Sequence, residues 1–316
     1  MTGGRHQHQL STDGDQRWLV AALTLIVIFM LGEAVVGVMA GSLALLSDAA
    51  HMLTDAVAIG LALIAVRLAA RPPRGGYTFG LTRAEILSAQ ANGWTLVLLA
   101  TWLGYEALRR LADPRTVDGV PVLVTAGIGV LVNVAAAACL ARANRDSLNI
   151  QGAFQHILTD LYAFLATLVA GVVIVLTGFA RADAIASMVV VLLMLRAGAG
   201  LIRQSGRILL EAAPAGTDVD AIGAELVGVA SVVEVHDLHV WQITSGQSAL
   251  SAHVIVADHA DCHGIRTELE RLVLTGHGIG HTTLQVDHQG EHATAAAGGP
   301  VVCCRQTHGP VHRADG

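Results

Sequence analysis

Six apolar segments, each long enough to cross a lipid bilayer, occupy the first two thirds of the sequence. A transmembrane helix needs about 20 predominantly apolar residues, and these segments run near residues 18–39, 43–68, 85–108, 120–141, 152–177 and 183–204. Hydrophobic residues make up 53% of the chain and charged residues 14%, and the mean hydropathy is +0.57. We therefore predict a membrane protein whose all-α domain of six transmembrane helices spans residues 17–210, after a polar N-terminal tail at residues 1–16.

The placement of arginines predicts how these helices are oriented. Positive residues in short loops mark the cytosolic side of a membrane. The arginines that follow the second, fourth and sixth apolar segments are Arg67, Arg71, Arg74, Arg83, Arg142, Arg145, Arg203 and Arg207. The connection after the third segment holds Arg109, Arg110 and Arg115, against this rule. The pattern predicts a multi-pass protein of the inner or plasma membrane with both termini in the cytosol.

A five-residue motif occurs twice, once in the second apolar segment and once in the fifth. Each copy, His51–Asp55 and His156–Asp160, places a His and an Asp four residues apart. On a helix this spacing puts both side chains on one face. The two segments would cross the membrane in opposite directions, as in the inverted repeats of secondary transporters. Antiparallel packing would then bring His51 level with Asp160 and Asp55 level with His156.

Two histidines and two aspartates within membrane helices indicate a metal site. An Asp at the centre of a span costs about 2.5–3.5 kcal/mol on the insertion scale, so its presence is a functional hypothesis. Four nitrogen and oxygen ligands suit tetrahedral Zn²⁺, whereas the imidazoles argue against Mg²⁺ or Ca²⁺ and the lack of thiolates against Cu(I). Because the ligands must lose protons to bind metal, these groups predict metal–proton exchange. The alternative is two buried, hydrogen-bonded His–Asp contacts with a structural role.

Two further carboxylates accompany the motif. Asp48 lies three residues before His51 on the same helical face, and Glu33 lies within the first apolar segment. Both are candidates for supporting the metal ligands or for lining a water path. Hydrogen bonding between helices explains them equally well.

The residues after the sixth apolar segment have a different character. Residues 211–290 contain no membrane-length apolar run. Their pattern predicts helix 217–230, strand 233–243, strand 248–257, helix 261–275 and strand 281–287, an αββαβ order that fits a small α+β domain. Gly246 indicates the hairpin turn, and Asp261 indicates the start of the second helix. We predict no structure for residues 291–316, a tail that contains His and Cys residues.

Histidines are frequent in this polar domain. His236 and His239 lie on a predicted strand, where they face opposite sides and cannot both bind one metal without distortion. His253, His263 and Asp287 follow later in the domain. For any single one of these histidines, an ordinary surface position is the commoner explanation. The formal net charge of −6 argues against nucleic acid as a partner.

Three motifs resemble those of the cation diffusion facilitator family, most of all its bacterial zinc, cadmium and cobalt exporters. They are the run 41–55, the segment 77–87 with Tyr-Thr-Phe-Gly and Arg-Ala-Glu-Ile-Leu, and the run 236–241 with His-Asp-Leu-His-Val-Trp. The resemblance covers about residues 16–290. It implies a homodimer of six-helix protomers that exports Zn²⁺ from the cytosol in exchange for protons. The residues that match the family's transport site are His51, Asp55, His156 and Asp160.

The same resemblance implies that residues 211–290 form a metallochaperone-like dimerisation domain. The residues that stand where relatives bind regulatory zinc at the dimer interface are His236, His253, His263 and Asp287. Gln285 replaces a His that some relatives have, so this site is expected to be reduced.

Two other classes of function compete with transport. A membrane metalloprotease needs an open coordination position and commonly a His-Glu-x-x-His motif, which the sequence lacks, so we do not predict an enzyme. A membrane-anchored zinc sensor without transport would explain the cytosolic histidines, but it would not need ligands in mid-membrane. The sequence leaves open which of Zn²⁺, Cd²⁺, Co²⁺ or Ni²⁺ matters in the cell.

Overall fold

The structure, a computed structural model, describes residues 13–69, 71–140, 148–290 and 309–314. Its first six elements are long helices: α1 (Asp13–Ala40), α2 (Leu43–Ala69), α3 (Ala84–Ala112), α4 (Gly119–Leu140), α5 (Leu148–Thr177) and α6 (Arg181–Leu209). Each helix coincides with one predicted apolar segment. The predicted all-α region of six helices is therefore confirmed.

A second group of elements follows the helices. It consists of α7 (Val219–Val227), β1 (Val232–Thr244), β2 (Gln247–Val256), α8 (Cys262–His277), β3 (His281–His288) and β4 (His312–Arg313). The first five confirm the predicted αββαβ order. The chain divides into two compact units. The helical unit takes the described residues up to Leu61 and Ala91–Ile202, and the mixed unit takes Ala62–Gln90 and the described residues from Arg203 onward.

Several helices have the length and composition of membrane spans. Within the described residues, α3, α6 and the Asp160–Thr177 part of α5 are long and apolar enough to cross a membrane. Shorter apolar stretches occupy Val27–Ala40, Leu43–Leu53 and Gly119–Ala135. Large apolar side chains on these helices are exposed, as at Trp102 (66%) and Leu131 (69%). Such surfaces are unfavourable in water and suit contact with lipid.

Glycines allow close packing between helices of the helical unit. A Cβ on Gly171 of α5 would lie 2.9 Å from the backbone N and Cα of Leu123 on α4. Gly93 of α3 and Gly198 of α6 face each other in the same way, so that a Cβ on either would press against the other's carbonyl oxygen. Small residues at such crossings increase dispersion contacts between helices, which matters in lipid because the hydrophobic effect does not drive helices together there.

The mixed unit is built on one four-stranded sheet with the order β3-β2-β1-β4. β1 and β2 form an antiparallel hairpin around Gly246, whose φ is +73°. β3 runs parallel to β2, and α8 supplies the crossover that a parallel pair requires. Asp261 caps α8 as predicted, because its carboxylate accepts two backbone N–H bonds. Buried apolar residues such as Ile222, Leu250 and Leu269 form the core between the helices and the sheet.

The end of the chain corrects one prediction. The tail 291–316 was expected to lack structure, but His312 and Arg313 form β4, which pairs antiparallel with β1 at Val235 and Glu234. The physical reason is that the outer edge of β1 offers unpaired backbone N–H and C=O groups that an extended segment can bind. Residues 291–308, with the predicted tail cysteines, lie outside the described residues.

Candidate metal sites

The structure brings His51 of α2 and Asp160 of α5 into contact in the helical unit. Both residues are buried, and His51 Nε2 lies 3.6 Å from Asp160 Oδ1. Two ligand atoms about 2.0–2.2 Å from a tetrahedral Zn²⁺ would be separated by about 3.4 Å. The observed distance is therefore close to that of two ligands of one zinc ion. It is also longer than an ordinary hydrogen bond.

The other half of the repeated motif has the helical placement that the sequence predicted. Asp55 lies on α2 one turn beyond His51, and His156 lies on α5 one turn before Asp160. The side chains of Asp55 and His156 lie outside the described part of the structure. Their pairing thus stays a prediction.

The start of α2 is fixed by a buried carboxylate on α6. Asp183 accepts hydrogen bonds from the backbone N–H of Leu43 (2.7 Å) and from the Ser42 hydroxyl. Arg110 of α3 lies 3.9 Å from the same carboxylate and donates to the carbonyl oxygen of Gly41 (2.8 Å). A carboxylate at a helix N-terminus satisfies free N–H groups and interacts favourably with the helix dipole. Sequence reasoning missed Asp183, because its contacts lie about 140 positions away along the chain.

Two more carboxylates surround the His51–Asp160 pair. Glu33 of α1 and Asp48 of α2 are each 1% exposed. The Glu33 carboxyl is close enough to interact electrostatically with those of Asp48 and Asp160. Buried carboxylates that lie near one another are costly unless a cation compensates their charge. The arrangement is therefore suited to bind a divalent cation.

A second cluster lies in the mixed unit, on β1 and β2. His236, Asp237 and His253 have ligand atoms that all lie within 4.8 Å of one another. The two imidazole rings are 5.4 Å apart, and His253 Nδ1 lies 3.8 Å from Asp237 Oδ2. His236 is 1% exposed. Two imidazoles and one carboxylate are ligands that Zn²⁺ accepts.

The cluster differs in part from the predicted ligand set. It contains His236 and His253, but among the described residues it does not include His263 or Asp287. His263 is exposed at the start of α8, and Asp287 accepts a hydrogen bond from Gln285 (2.8 Å). Asp237 takes part instead. The predicted orientation of His239, away from His236, agrees with its exposed position.

Asp237 joins the cluster because the strand is irregular at this point. Its φ is +48°, in the left-handed region, and the pairing of β1 with β2 shifts register between His236 and His239. A regular strand would alternate its side chains, so that Asp237 and His236 would face opposite sides. Asp tolerates the left-handed conformation better than most residues. The sequence signal for this site is that Asp237 directly follows His236. The alternation of a regular strand, however, predicts that these two side chains face opposite sides.

The fold and these sites define an integral membrane protein in which helices hold buried candidate cation ligands. Comparison with known proteins agrees. The cation efflux transmembrane domain matches residues 19–210, and the cation efflux protein cytoplasmic domain matches residues 214–289. The chain belongs to the cation efflux family, the family that its motifs resemble.

Curated relatives are similar over most of their length. The cadmium, cobalt and zinc/H(+)-K(+) antiporter of Bacillus subtilis is 35% identical over 285 residues, which cover 89% of this chain and 91% of the relative. The zinc transporter ZitB of Pectobacterium atrosepticum is 34% identical, with 90% and 89% covered. The metal cation efflux system protein CzcD of Cupriavidus metallidurans is 34% identical, with 90% of both chains covered.

Proposed function

We propose that the protein exports Zn²⁺, and also Cd²⁺ and Co²⁺, from the cytosol in exchange for protons. The observation that carries this proposal is the buried contact between His51 and Asp160, whose 3.6 Å separation suits two ligands of one ion. The names of the relatives support it, because they include zinc, cadmium and cobalt transporters and an antiporter. In the complete site, Asp55 and His156 supply the third and fourth ligands.

Exchange follows from the chemistry of the ligands. Zinc binds only when both aspartates are ionised and both histidines are neutral. When the ion leaves, the buried carboxylates are left close together without a compensating cation, so proton uptake becomes favourable. Glu33 and Asp48 extend this acidic cluster and take part in the proton exchange. Opening the site to one side and then to the other moves metal and protons in opposite directions.

The membrane arrangement of the proposed transporter is that predicted from the arginines. It is a multi-pass protein of the inner or plasma membrane, with its two three-helix halves inverted and both termini in the cytosol. The C-terminal domain is a homodimerisation domain, which the match to the cytoplasmic domain of cation efflux proteins supports. Lipid, metal ions, protons and a second copy of this chain are its partners.

Zinc is also proposed as a regulatory ligand of the cytosolic domain. His236, Asp237 and His253 supply three ligand atoms from one protomer. Three protein ligands leave one position of a tetrahedral site open, which water or a group from the second protomer can fill. When zinc is bound at this site, the transporter becomes active at a lower free metal concentration in the cytosol.

Zinc accumulation in sealed vesicles tests the transport proposal. With a proton gradient imposed across the membrane, we expect the wild type to accumulate zinc and Asp160→Ala to accumulate none. Asp113→Ala, an exposed aspartate at the end of α3, serves as the matched control and should accumulate zinc like the wild type. If the wild type binds zinc but accumulates none, the protein is a membrane-anchored sensor and the transport proposal fails.

A further inference from the structure

The C-terminal segment 309–314 is held against the mixed unit by both backbone and side chains. β4 extends the sheet at the edge of β1, and the N–H of Ala314 donates to the carbonyl oxygen of Val233 (3.1 Å). Only two residue pairs join β4 to β1, so backbone pairing alone holds the segment weakly. Its attachment therefore depends on its side chains.

His312 sits on α7 at a position that only glycine leaves open. A Cβ on Gly223 would overlap the His312 ring. The ring is 15% exposed, and its Nε2 lies 3.9 Å from Asp220 Oδ1. The absence of a side chain at Gly223 thus creates the seat for His312. Gly is unfavourable within a helix, but at position 223 it leaves the space that the His312 ring occupies.

Arg313 connects the segment to the cytosolic cluster through one carboxylate. Its Nε donates to Glu234 Oε2 (2.9 Å), and the other oxygen of Glu234 lies 3.1 Å from Nδ1 of His236. His236 belongs to the His236–Asp237–His253 cluster. A carboxylate beside one ring nitrogen of a histidine favours the tautomer that leaves the other nitrogen free to bind metal. Arg313 therefore fixes the orientation of the Glu234 carboxylate, which in turn orients the His236 ring.

The solvent exposure of these side chains decides whether docking of the segment strengthens or weakens metal binding. Arg313 and a bound divalent cation repel each other, but the Arg313 side chain is 73% exposed, so solvent screens that repulsion. Glu234 is 21% exposed and His236 is 1% exposed, so their contact is screened much less. The orienting effect therefore outweighs the repulsion, and docking favours metal binding.

We propose that segment 309–314 is a latch on the cytosolic domain, and that its docking and zinc binding at His236, Asp237 and His253 strengthen each other through Glu234. This inference rests on the proposed cytosolic zinc site. Coupling between two binding events is reciprocal. The factor by which the docked latch raises zinc affinity is therefore also the factor by which bound zinc raises the docking equilibrium of the latch. Groups that orient a metal-binding histidine typically change metal affinity by about 10- to 100-fold, so a coupling of about tenfold is expected.

Two substitutions test the latch in the full-length protein, on an Asp160→Ala background that disables the transport site. Gly223→Ala blocks the seat of His312 while improving the helix propensity of α7, and Arg313→Gln removes the contact with Glu234. The matched controls are Gly276→Ala, at a glycine of α8 whose Cβ would lie 4.0 Å from a carboxylate oxygen of Glu225, and Arg271→Gln, at an exposed arginine of α8. Zinc affinity is measured by competition with a chelating dye, and docking is measured by hydrogen exchange of the C-terminal peptide.

We expect zinc to slow exchange of the C-terminal peptide in the parent protein. We expect Gly223→Ala and Arg313→Gln to weaken zinc binding about tenfold, and the controls to leave it unchanged. Equal affinity in all variants, or exchange that zinc does not alter, would overturn the latch. A further variant, His236→Ala, separates the two proposals. If His236→Ala binds as much zinc as the parent protein, the cytosolic zinc site fails and the latch fails with it. If His236→Ala loses that zinc but Gly223→Ala and Arg313→Gln bind zinc like the parent protein, the latch alone is overturned.

Discussion

Replacing Asp183 by Asn is the most informative perturbation of the helical unit. The Asp183 carboxylate accepts from Ser42 and from the backbone N–H of Leu43 and Ala44, and it lies 3.9 Å from Arg110. Loss of an N-cap costs about 0.5–2 kcal/mol, and breaking one side of a buried ion pair costs about 3–5 kcal/mol. Arg110 keeps its bonds to Glu106 and to a backbone carbonyl, and Asn keeps one acceptor oxygen. We therefore expect a loss of about 2–4 kcal/mol, below the sum of these two costs.

Thermal unfolding of the purified protein measures this loss. For a chain of this size we expect Asp183→Asn to lower Tm by about 5–10 °C, while Asp113→Asn, at an exposed aspartate, leaves Tm unchanged. The same substitution should weaken zinc binding, because a loosened start of α2 no longer fixes His51 opposite Asp160. If Asp183→Asn unfolds at the same temperature as Asp113→Asn, the argument that a carboxylate on α6 fixes α2 is refuted.

Two further predictions concern helix packing and the acidic cluster. Gly171→Ala would place its methyl group against the backbone of α4 at Leu123, so we expect the free energy of unfolding, measured by thermal unfolding, to fall by about 1–3 kcal/mol. Gly127→Ala, whose Cβ would meet a side chain at 3.8 Å, should be neutral. An equal effect of the two substitutions would contradict close α4–α5 packing. Glu33→Gln replaces a buried carboxyl group near Asp160 with an amide, which cannot supply negative charge to a bound cation, so we expect zinc affinity, measured by dye competition, to fall about tenfold. Glu85→Gln is the control, and an unchanged affinity in Glu33→Gln would exclude Glu33 from the site.

The features that follow from local sequence were predictable. Apolar length identified all six helices, because a membrane span must satisfy every backbone hydrogen bond within itself. The repeated His-x-x-x-Asp spacing pointed to His51 and Asp160, which lie 3.6 Å apart in the structure, since helical periodicity fixes which residues share a face. In the C-terminal domain, Gly246 and Asp261 gave the turn and the cap, because each acts through contacts only a few residues away.

The features that depend on distant partners were not predictable. Asp183 caps a helix about 140 residues away in sequence, and nothing in its neighbourhood signals that contact. Asp237 reaches the histidines because β1 is irregular there, which breaks the alternation of a regular strand. Arg313 pairs with Glu234 across 79 positions, in a short strand whose pattern is too brief to recognise. In each case the decisive interaction is set by the tertiary fold rather than by local propensity.

Proton movement driven by zinc tests the central claim most directly. Sealed vesicles containing the protein and a lumenal pH dye receive external zinc, with no pH gradient imposed. If the acidic cluster exchanges zinc for protons, zinc entry expels protons and the lumenal pH rises in the wild type, while Asp160→Asn abolishes both the zinc entry and the pH rise. Zinc entry without a change in lumenal pH would contradict antiport, and a full response in Asp160→Asn would mean that the His51–Asp160 contact is structural.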